Sequence, residues 1–100
     1  MVEPISTAIL LKIAAGAAGK IAVKAYFLGK MAALKTFLAH YVGASAANVS
    51  VGLLATAATV VFWEKKIKRN TDSDAISAAV AKGVSRDVAQ GVVSWINAHV

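Results

Sequence analysis

The sequence contains no cysteine, which excludes disulfide bonds and metal sites built from thiolates. The redox conditions of its compartment therefore cannot be inferred. The two histidines, His40 and His99, have no His, Asp or Glu at ligand spacing beside them, so we predict no metal site and no cofactor. The N-terminus lacks the basic region of a secretory signal, and Lys12 interrupts the first apolar run. Export by the general secretory route is not expected.

Sequence motifs typical of catalysis are also missing. No Gly-x-Ser-x-Gly elbow is present. The stretch from Gly16 to Lys20 has glycines and a lysine but not the spacing of a phosphate-binding loop, and no strand pattern precedes it. The five carboxylates lie at predicted helix starts or beside basic residues, where helix capping and surface ion pairs account for them. We therefore expect that the protein is not an enzyme.

Acidic residues are few: five Asp and Glu stand against eleven Lys and Arg, for a net charge of +6. The excess lies in residues 1–71, which are also the most apolar part of the chain. Lysines on an apolar helix suit anionic lipid head groups, because their aliphatic stems lie along the apolar surface while the ammonium reaches the interface. Arginine, the usual partner of nucleic acid, occurs there only as Arg69. The pattern predicts an anionic membrane as partner and does not favour a nucleic acid.

Residues 36–63 contain no Asp, Glu, Lys or Arg. Their second half, 46–63, is long enough to span a membrane or to form the central, fully buried helix of a bundle. It is rich in Ala, Thr, Ser and Gly rather than Leu, Ile and Phe, so it is only marginally apolar. The hydrophobic content of 58% is above the usual value of about 45–50%, but alanine in close helix packing explains it as well as lipid does. Both interpretations remain open from sequence.

The hydrophobic periodicity is helical throughout and predicts an all-α protein, a compact bundle of four to five helices around the uncharged helix. We expect a single domain, 1–100. Its parts are lysine-rich amphipathic helices at 6–42, a central apolar helix with a basic end at 45–69, and an amphipathic helix pair at 72–100.

Capping residues and glycines predict where these helices begin and end. Ser6 or Thr7 caps the first helix, which weakens at residues 16–19 before the helical pattern resumes over 20–42. The predicted end of that segment is Gly43.

Capping residues and a glycine also predict the helix boundaries in the rest of the chain. Ser45 or Asn48 is the expected cap of the central helix. Thr71, with an aspartate three residues later, fits a capping box, and Gly83 separates two helices predicted over 75–82 and 85–98.

The lysines of the first segment share one side of the predicted helix, within an arc of about 140°. The opposite side is small or apolar and includes Ile21, Ala25 and Leu28. This pattern fits either the solvated face of an ordinary bundle helix or a helix lying at a membrane interface. A second basic cluster follows Trp63, which is either an interfacial anchor or a core residue at a helix end. The candidate residues for anionic-lipid binding are Lys12, Lys20, Lys24, Lys30, Lys35, Trp63, Lys65, Lys66, Lys68 and Arg69.

Apolar residues at helical spacing also mark the C-terminal pair. They can form core or bind a protein partner, and Trp95 fits the core better because it shares a stripe with two valines. The candidate contact residues for a protein partner are Ile76, Val80, Val88, Val92 and Trp95.

Residues 35–54 (KTFLAHYVGASAANVSVGLL) and 83–98 (GVSRDVAQGVVSWINA) resemble circular and leaderless bacteriocins. These are cysteine-free, cationic, saposin-like helical bundles. The resemblance covers less than half of the chain, which is longer than typical members. It implies electrostatic docking on anionic bacterial membranes followed by permeabilisation, with Lys65, Lys66, Lys68 and Arg69 as the basic cluster.

The leading hypothesis is thus a secreted or membrane-associated antimicrobial protein that perturbs anionic membranes, with homo-oligomerisation left open. One alternative is a small integral membrane protein, holin-like or regulatory, in which residues 46–63 span the bilayer. Another is a soluble helical module that binds a protein partner.

Overall fold

Helices form all the regular secondary structure in residues 11–16, 19–43 and 48–100, which are the residues that the computed structural model describes. The prediction of an all-α bundle is confirmed. The radius of gyration, 12.3 Å, is close to the value of about 13 Å expected for a compact chain of this length. Residues 11–14 are helical, and the elements that follow are α1 (Gly19–Leu28), α2 (Met31–Tyr41), α3 (Val51–Phe62), a π-helical turn (Trp63–Ile67), α4 (Asp72–Ala81) and α5 (Arg86–His99).

Helix α3 is the centre of the bundle, as predicted for the uncharged segment. It packs against α1, α4 and α5, and more lightly against α2. Leu54, Val61 and Phe62 are fully buried on it, together with three alanines that allow neighbouring helices to approach closely. In the described part of the chain, no helix combines the length and hydropathy needed to cross a membrane.

An aromatic cluster joins helices that are distant in sequence. The ring centroid of Phe27 lies 6.1 Å from that of Phe62 and 6.1 Å from that of Trp95, both in edge-to-face geometry. All three side chains are buried. The cluster therefore ties α1 to α3 and α5 through one side chain of α1.

Serine and threonine hydroxyls cap the N-termini of three helices. The Ser50 hydroxyl accepts a hydrogen bond from the backbone N–H of Leu53 at 3.2 Å, so Ser50 caps α3. The predicted cap at Asn48 is wrong, because Asn48 lies in a short turn before the helix; Ser45, like Ser6 and Thr7, lies outside the described residues.

The predicted cap at Thr71 is confirmed, since its hydroxyl accepts from the Asp74 N–H at 3.1 Å. Helix α4 accordingly begins at Asp72, three residues earlier than predicted. Ser85 caps α5 in the same way through the N–H of Val88 at 3.2 Å.

Two glycines close helices in the left-handed region, where a β-carbon is unfavourable. Gly43 has a φ of 116° and follows α2, and Gly83 has a φ of 117° and separates α4 from α5. Both positions match the sequence prediction.

The helical segment predicted over 20–42 is interrupted by a turn at Gly29 and Lys30. The N–H of Gly29 donates to the carbonyls of both Ala25 and Tyr26, at 3.2 and 3.1 Å, which tightens the last turn of α1 and ends it at Leu28. The chain then changes direction, so that α1 packs chiefly on α3 and α2 chiefly on α5. The lysines of 20–42 therefore do not share one continuous helical face.

The central helix also ends differently from the prediction of one helix over 45–69. After Phe62 the backbone widens into the π-helical turn, in which the Lys68 N–H donates to the Trp63 carbonyl at 2.9 Å and the Asn70 N–H donates to the Glu64 carbonyl at 2.8 Å. Arg69 follows in the left-handed region with a φ of 58°. The basic cluster therefore lies in and directly after this turn rather than on α3.

Candidate functional site

The side of α1 that the sequence predicts to be apolar, opposite the lysines, faces solvent. The residues that α1 buries are Gly19, Val23 and Phe27, spaced by four, and they lie on the same side of the helix as its lysines. The side opposite leaves Ile21 76% exposed and Leu28 43% exposed. Helix α1 therefore packs on the core through Val23 and Phe27 and not through the side opposite its lysines.

Lysines border this exposed face. Lys20 is exposed and Lys24 is half-buried, and at about 100° per residue both lie along one edge of the buried stripe, between it and the exposed side. Long aliphatic stems allow lysines to cover apolar surface at such a boundary while the ammonium stays in water. The outcome is a helix whose exposed apolar side chains stand next to cationic groups.

A groove of about 550 Å³ lies between α1, the end of α3 and α4. We call it the lysine groove. Four lysines and one glutamate line it and give it a formal charge of +3, while its other lining residues are apolar side chains and two threonines. The residues that line the lysine groove are Lys20, Ile21, Lys24, Thr56, Thr59, Val60, Trp63, Glu64, Lys68, Ala78, Ala81 and Lys82.

Trp63 forms one side of the lysine groove and is half-buried. The Lys20 Nζ stands 5.4 Å from the centroid of its indole, in a cation–π contact. The ring also packs edge-to-face on Phe62, with centroids 6.0 Å apart. Trp63 therefore joins the core at one edge and the lysine groove at the other, between the two roles predicted for it.

Two ion pairs hold the π-helical turn in place. The Lys65 Nζ lies 2.6 Å from Asp72 Oδ1, and its side chain is only 21% exposed. The Lys68 Nζ lies 3.2 Å from Glu64 Oε2, and the Asn70 side-chain amide donates to the other oxygen of that carboxylate at 2.7 Å.

These contacts lower the pKa of both carboxyls. The hydrogen bond from the Asn70 amide is the main cause for Glu64, with Lys68 adding to it against the opposing effect of burial. For Asp72 the main cause is the hydrogen bond from Lys65, followed by the one from Asn97. Each contact stabilises the charged form of the carboxyl.

The predicted basic cluster is thus divided between different roles. Lys65 is a structural residue, since it pairs with the first residue of α4 and also donates to the Asn70 carbonyl at 3.3 Å. Lys68 lines the lysine groove. Lys66 is half-buried and Arg69 is exposed, and neither lines the groove.

Lys30 lines a second cavity of about 630 Å³, which we call the aromatic cleft. Its Nζ lies 5.5 Å from the ring centroid of Tyr26. The imidazole of His99 stacks on Trp95 with centroids 5.4 Å apart and meets Phe37 edge-on at 6.0 Å. The residues that line the aromatic cleft are Tyr26, Lys30, Ala32, Ala33, Thr36, Phe37, Trp95 and His99.

The remaining lysines of the first segment stand apart from both cavities. Lys12 is exposed on the helical stretch 11–14, and Lys35 is half-buried on α2. Of the ten residues predicted to bind lipid, the lysine groove brings together Lys20, Lys24, Trp63 and Lys68.

The stripe predicted as a surface for a protein partner is mostly core. Val88, Val92 and Trp95 are buried, and Ile76 is half-buried. Only Val80, at 37% exposure, presents much of its side chain to solvent. Among the described side chains, no group of three His, Cys, Asp or Glu lies close enough together to hold a metal ion.

Sequence reasoning missed Lys82 as a member of the site. Lys82 follows α4 in a region whose charge is slightly acidic, and only the packing of α4 against α3 brings it to the lysine groove. A weak signal did exist for Thr56 and Thr59, because the sequence places them on a faintly polar edge of the central helix. Both threonines line the lysine groove.

The chain was also compared with known proteins. No family model, curated protein or solved structure matches it.

Proposed function

We propose that the protein binds anionic membranes through cationic and apolar side chains and permeabilises them. The observation that carries the proposal is the exposed apolar face of α1 bordered by lysines. Ile21 is the most exposed of the large hydrophobic side chains on the described residues, and Lys20 and Lys24 lie one position before it and three positions after it.

Magnitudes explain why both kinds of residue are needed. Transfer of one isoleucine side chain from water to an apolar environment is worth about 1.5–3 kcal/mol. A lysine close to an anionic membrane surface contributes about 1 kcal/mol. Neither Ile21 nor a pair of lysines alone outweighs the loss of freedom on binding, so we expect binding that requires anionic lipid and weakens with salt.

The resemblance to circular and leaderless bacteriocins supports the same proposal. It adds a saposin-like arrangement of the helices, an antimicrobial role and a secreted or membrane-associated location. In this proposal α1 enters the interface between head groups and acyl chains, while α3 and α5 keep the bundle folded. Lys12 and Lys35 add to the attraction without forming a site.

The test is co-sedimentation and dye leakage with vesicles of phosphatidylglycerol or phosphatidylcholine, on protein prepared without detergent. We expect the native chain to bind and leak only the anionic vesicles, less at high salt. Ile21→Ser is expected to weaken vesicle binding about tenfold, because it removes the exposed apolar side chain without touching the core.

Val51→Ser is the matched control, since Val51 is also exposed and lies on α3 away from the lysine groove. It is expected to bind like the native chain. Absence of binding to phosphatidylglycerol at low salt, or equal losses in Ile21→Ser and Val51→Ser, would contradict the proposal.

A further inference from the structure

The lysine groove has the size and composition of a binding site for one amphiphilic molecule. Its volume, about 550 Å³, falls in the range of about 300–1,000 Å³ typical of small-molecule sites. Apolar side chains from three helices form its walls, including Val60, Ala78 and Ala81. Such walls suit an acyl chain rather than a polar solute.

The two threonines of the lysine groove do not make it polar. The Thr59 hydroxyl donates to the Ala55 carbonyl at 2.8 Å, and the Thr56 hydroxyl donates to the Gly52 carbonyl at 3.0 Å. Each hydroxyl is thus satisfied within α3. An acyl chain can lie against them without leaving a buried polar group unpaired.

The cations of the lysine groove are not equivalent. Lys68 is paired with Glu64, and Lys20 stands over the indole of Trp63. Neither Lys24 nor Lys82 makes an ion pair within the described residues. These two lysines come from α1 and from the end of α4, so they border the lysine groove from two different elements.

We infer that the lysine groove binds one single-chain lipid with an anionic phosphate head group, whose acyl chain lies against Val60, Ala78 and Ala81 and whose head group meets Lys24 and Lys82. This inference rests on the proposed function, because it gives the membrane-docked protein a site for a lipid withdrawn from the bilayer. Charge complementarity selects the head group, and the apolar walls select the chain.

The experiment titrates the protein with lysophosphatidylglycerol carrying a brominated acyl chain, at concentrations below micelle formation, and follows tryptophan fluorescence. Bromine quenches an indole only at close range, so the chain in the lysine groove is expected to quench Trp63, with saturation at one lipid per protein. The Trp63→Phe variant retains Trp95 and is expected to show no saturable quenching.

Variants with matched charge and size test the two halves of the site. Lys24→Gln with Lys82→Gln is expected to weaken binding about tenfold or more, whereas Lys12→Gln with Lys35→Gln removes the same charge elsewhere and leaves it unchanged. Ala81→Leu fills the lysine groove from an exposed position and is expected to weaken binding. Ala39→Leu, exposed on α2, is its control.

Three results would overturn the inference. They are equal affinity for lysophosphatidylcholine of the same chain length, displacement of the lipid by an equal concentration of inorganic phosphate, and unchanged binding in the Lys24 and Lys82 double variant. If the native chain sediments with phosphatidylglycerol vesicles but captures no single lipid, the inference fails and the proposed function stands. If the protein captures the single lipid but does not bind vesicles, the inference about the lysine groove is supported and the proposed function is contradicted.

Discussion

Helices α1 and α5 use their apolar residues in opposite ways. Helix α5 buries seven of its fourteen residues and exposes mainly polar side chains such as Arg86 and Gln90. Helix α1 buries three of ten and exposes Ile21 and Leu28. The composition of α5 is explained by the bundle that it stabilises. The bundle does not explain the exposed apolar side chains of α1. This difference is why the proposed function is assigned to α1.

The strongest test of this comparison separates the two faces of α1. Phe27→Ala is expected to lower the free energy of unfolding by about 3–5 kcal/mol, because Phe27 is fully buried and contacts both Phe62 and Trp95. Ile21→Ala is expected to change it by less than about 0.5 kcal/mol. Urea denaturation followed by circular dichroism measures both. If both variants lose a similar free energy of unfolding, Ile21 contributes to the core. In that case α1, like α5, uses its apolar residues to stabilise the bundle.

A smaller loss of stability is expected when the cap of α4 is removed. Thr71→Ala removes the hydroxyl that caps α4 and is expected to cost about 1 kcal/mol. Ser73→Ala, two residues along and exposed, is the control and should be nearly neutral. Because neither change touches α1, vesicle binding by the folded protein should be unaffected in both. Loss of vesicle binding in Thr71→Ala at temperatures where it stays folded would mean that α4 and α5 take part in docking.

Much of this architecture could be predicted from the sequence, because it depends on local chemistry. Thr71 as a cap, Gly43 and Gly83 as helix ends, and α3 as the central helix follow from side-chain hydrogen bonding, left-handed backbone geometry and hydrophobic periodicity. These signals lie within a few residues of the feature they predict.

The site could be predicted only in part, because it depends on packing between helices. On a helical projection, Val23 and Phe27 share a side with Lys20 and Lys24, and the sequence gives no measure of whether the aromatic ring or the ammonium groups decide the orientation of α1. In the structure α1 is oriented so that Phe27 is buried, and the opposite side of the helix, with Ile21 and Leu28, is exposed. Lys82 joins the lysine groove only through the packing of α4 on α3, which no local pattern encodes.

The π-helical turn joins α3 to α4, and the ion pairs of Glu64 and Asp72 make it sensitive to acid. The pKa values of Glu64 and Asp72 are lower in the folded protein than their ordinary values of 4.5 and 3.8. Their contribution to stability is therefore complete above those ordinary values and is lost as the pH falls through the folded values. We expect the free energy of unfolding to decrease between about pH 5 and pH 3. Asp72→Asn removes the carboxyl that pairs with Lys65 and should flatten this decrease, whereas Asp87→Asn should not. If both variants show the same dependence of stability on pH, the ion pair of Asp72 is not the cause of the acid sensitivity.

The smallest expected effect concerns Lys20, which lies where the core-facing and solvent-facing sides of α1 meet. Its Nζ stands 5.4 Å from the Trp63 ring centroid, and such a contact at an exposed site is worth about 0.5–1 kcal/mol. Lys20→Gln is therefore expected to reduce stability by no more than that, with a change in Trp63 emission, while Lys12→Gln changes neither. If Lys20 serves the membrane as well as the indole, Lys20→Gln should also weaken binding to phosphatidylglycerol vesicles by more than its effect on folding. A variant that loses stability but binds vesicles as the native chain does would assign Lys20 to the fold alone, and docking would then depend on Ile21 and Lys24.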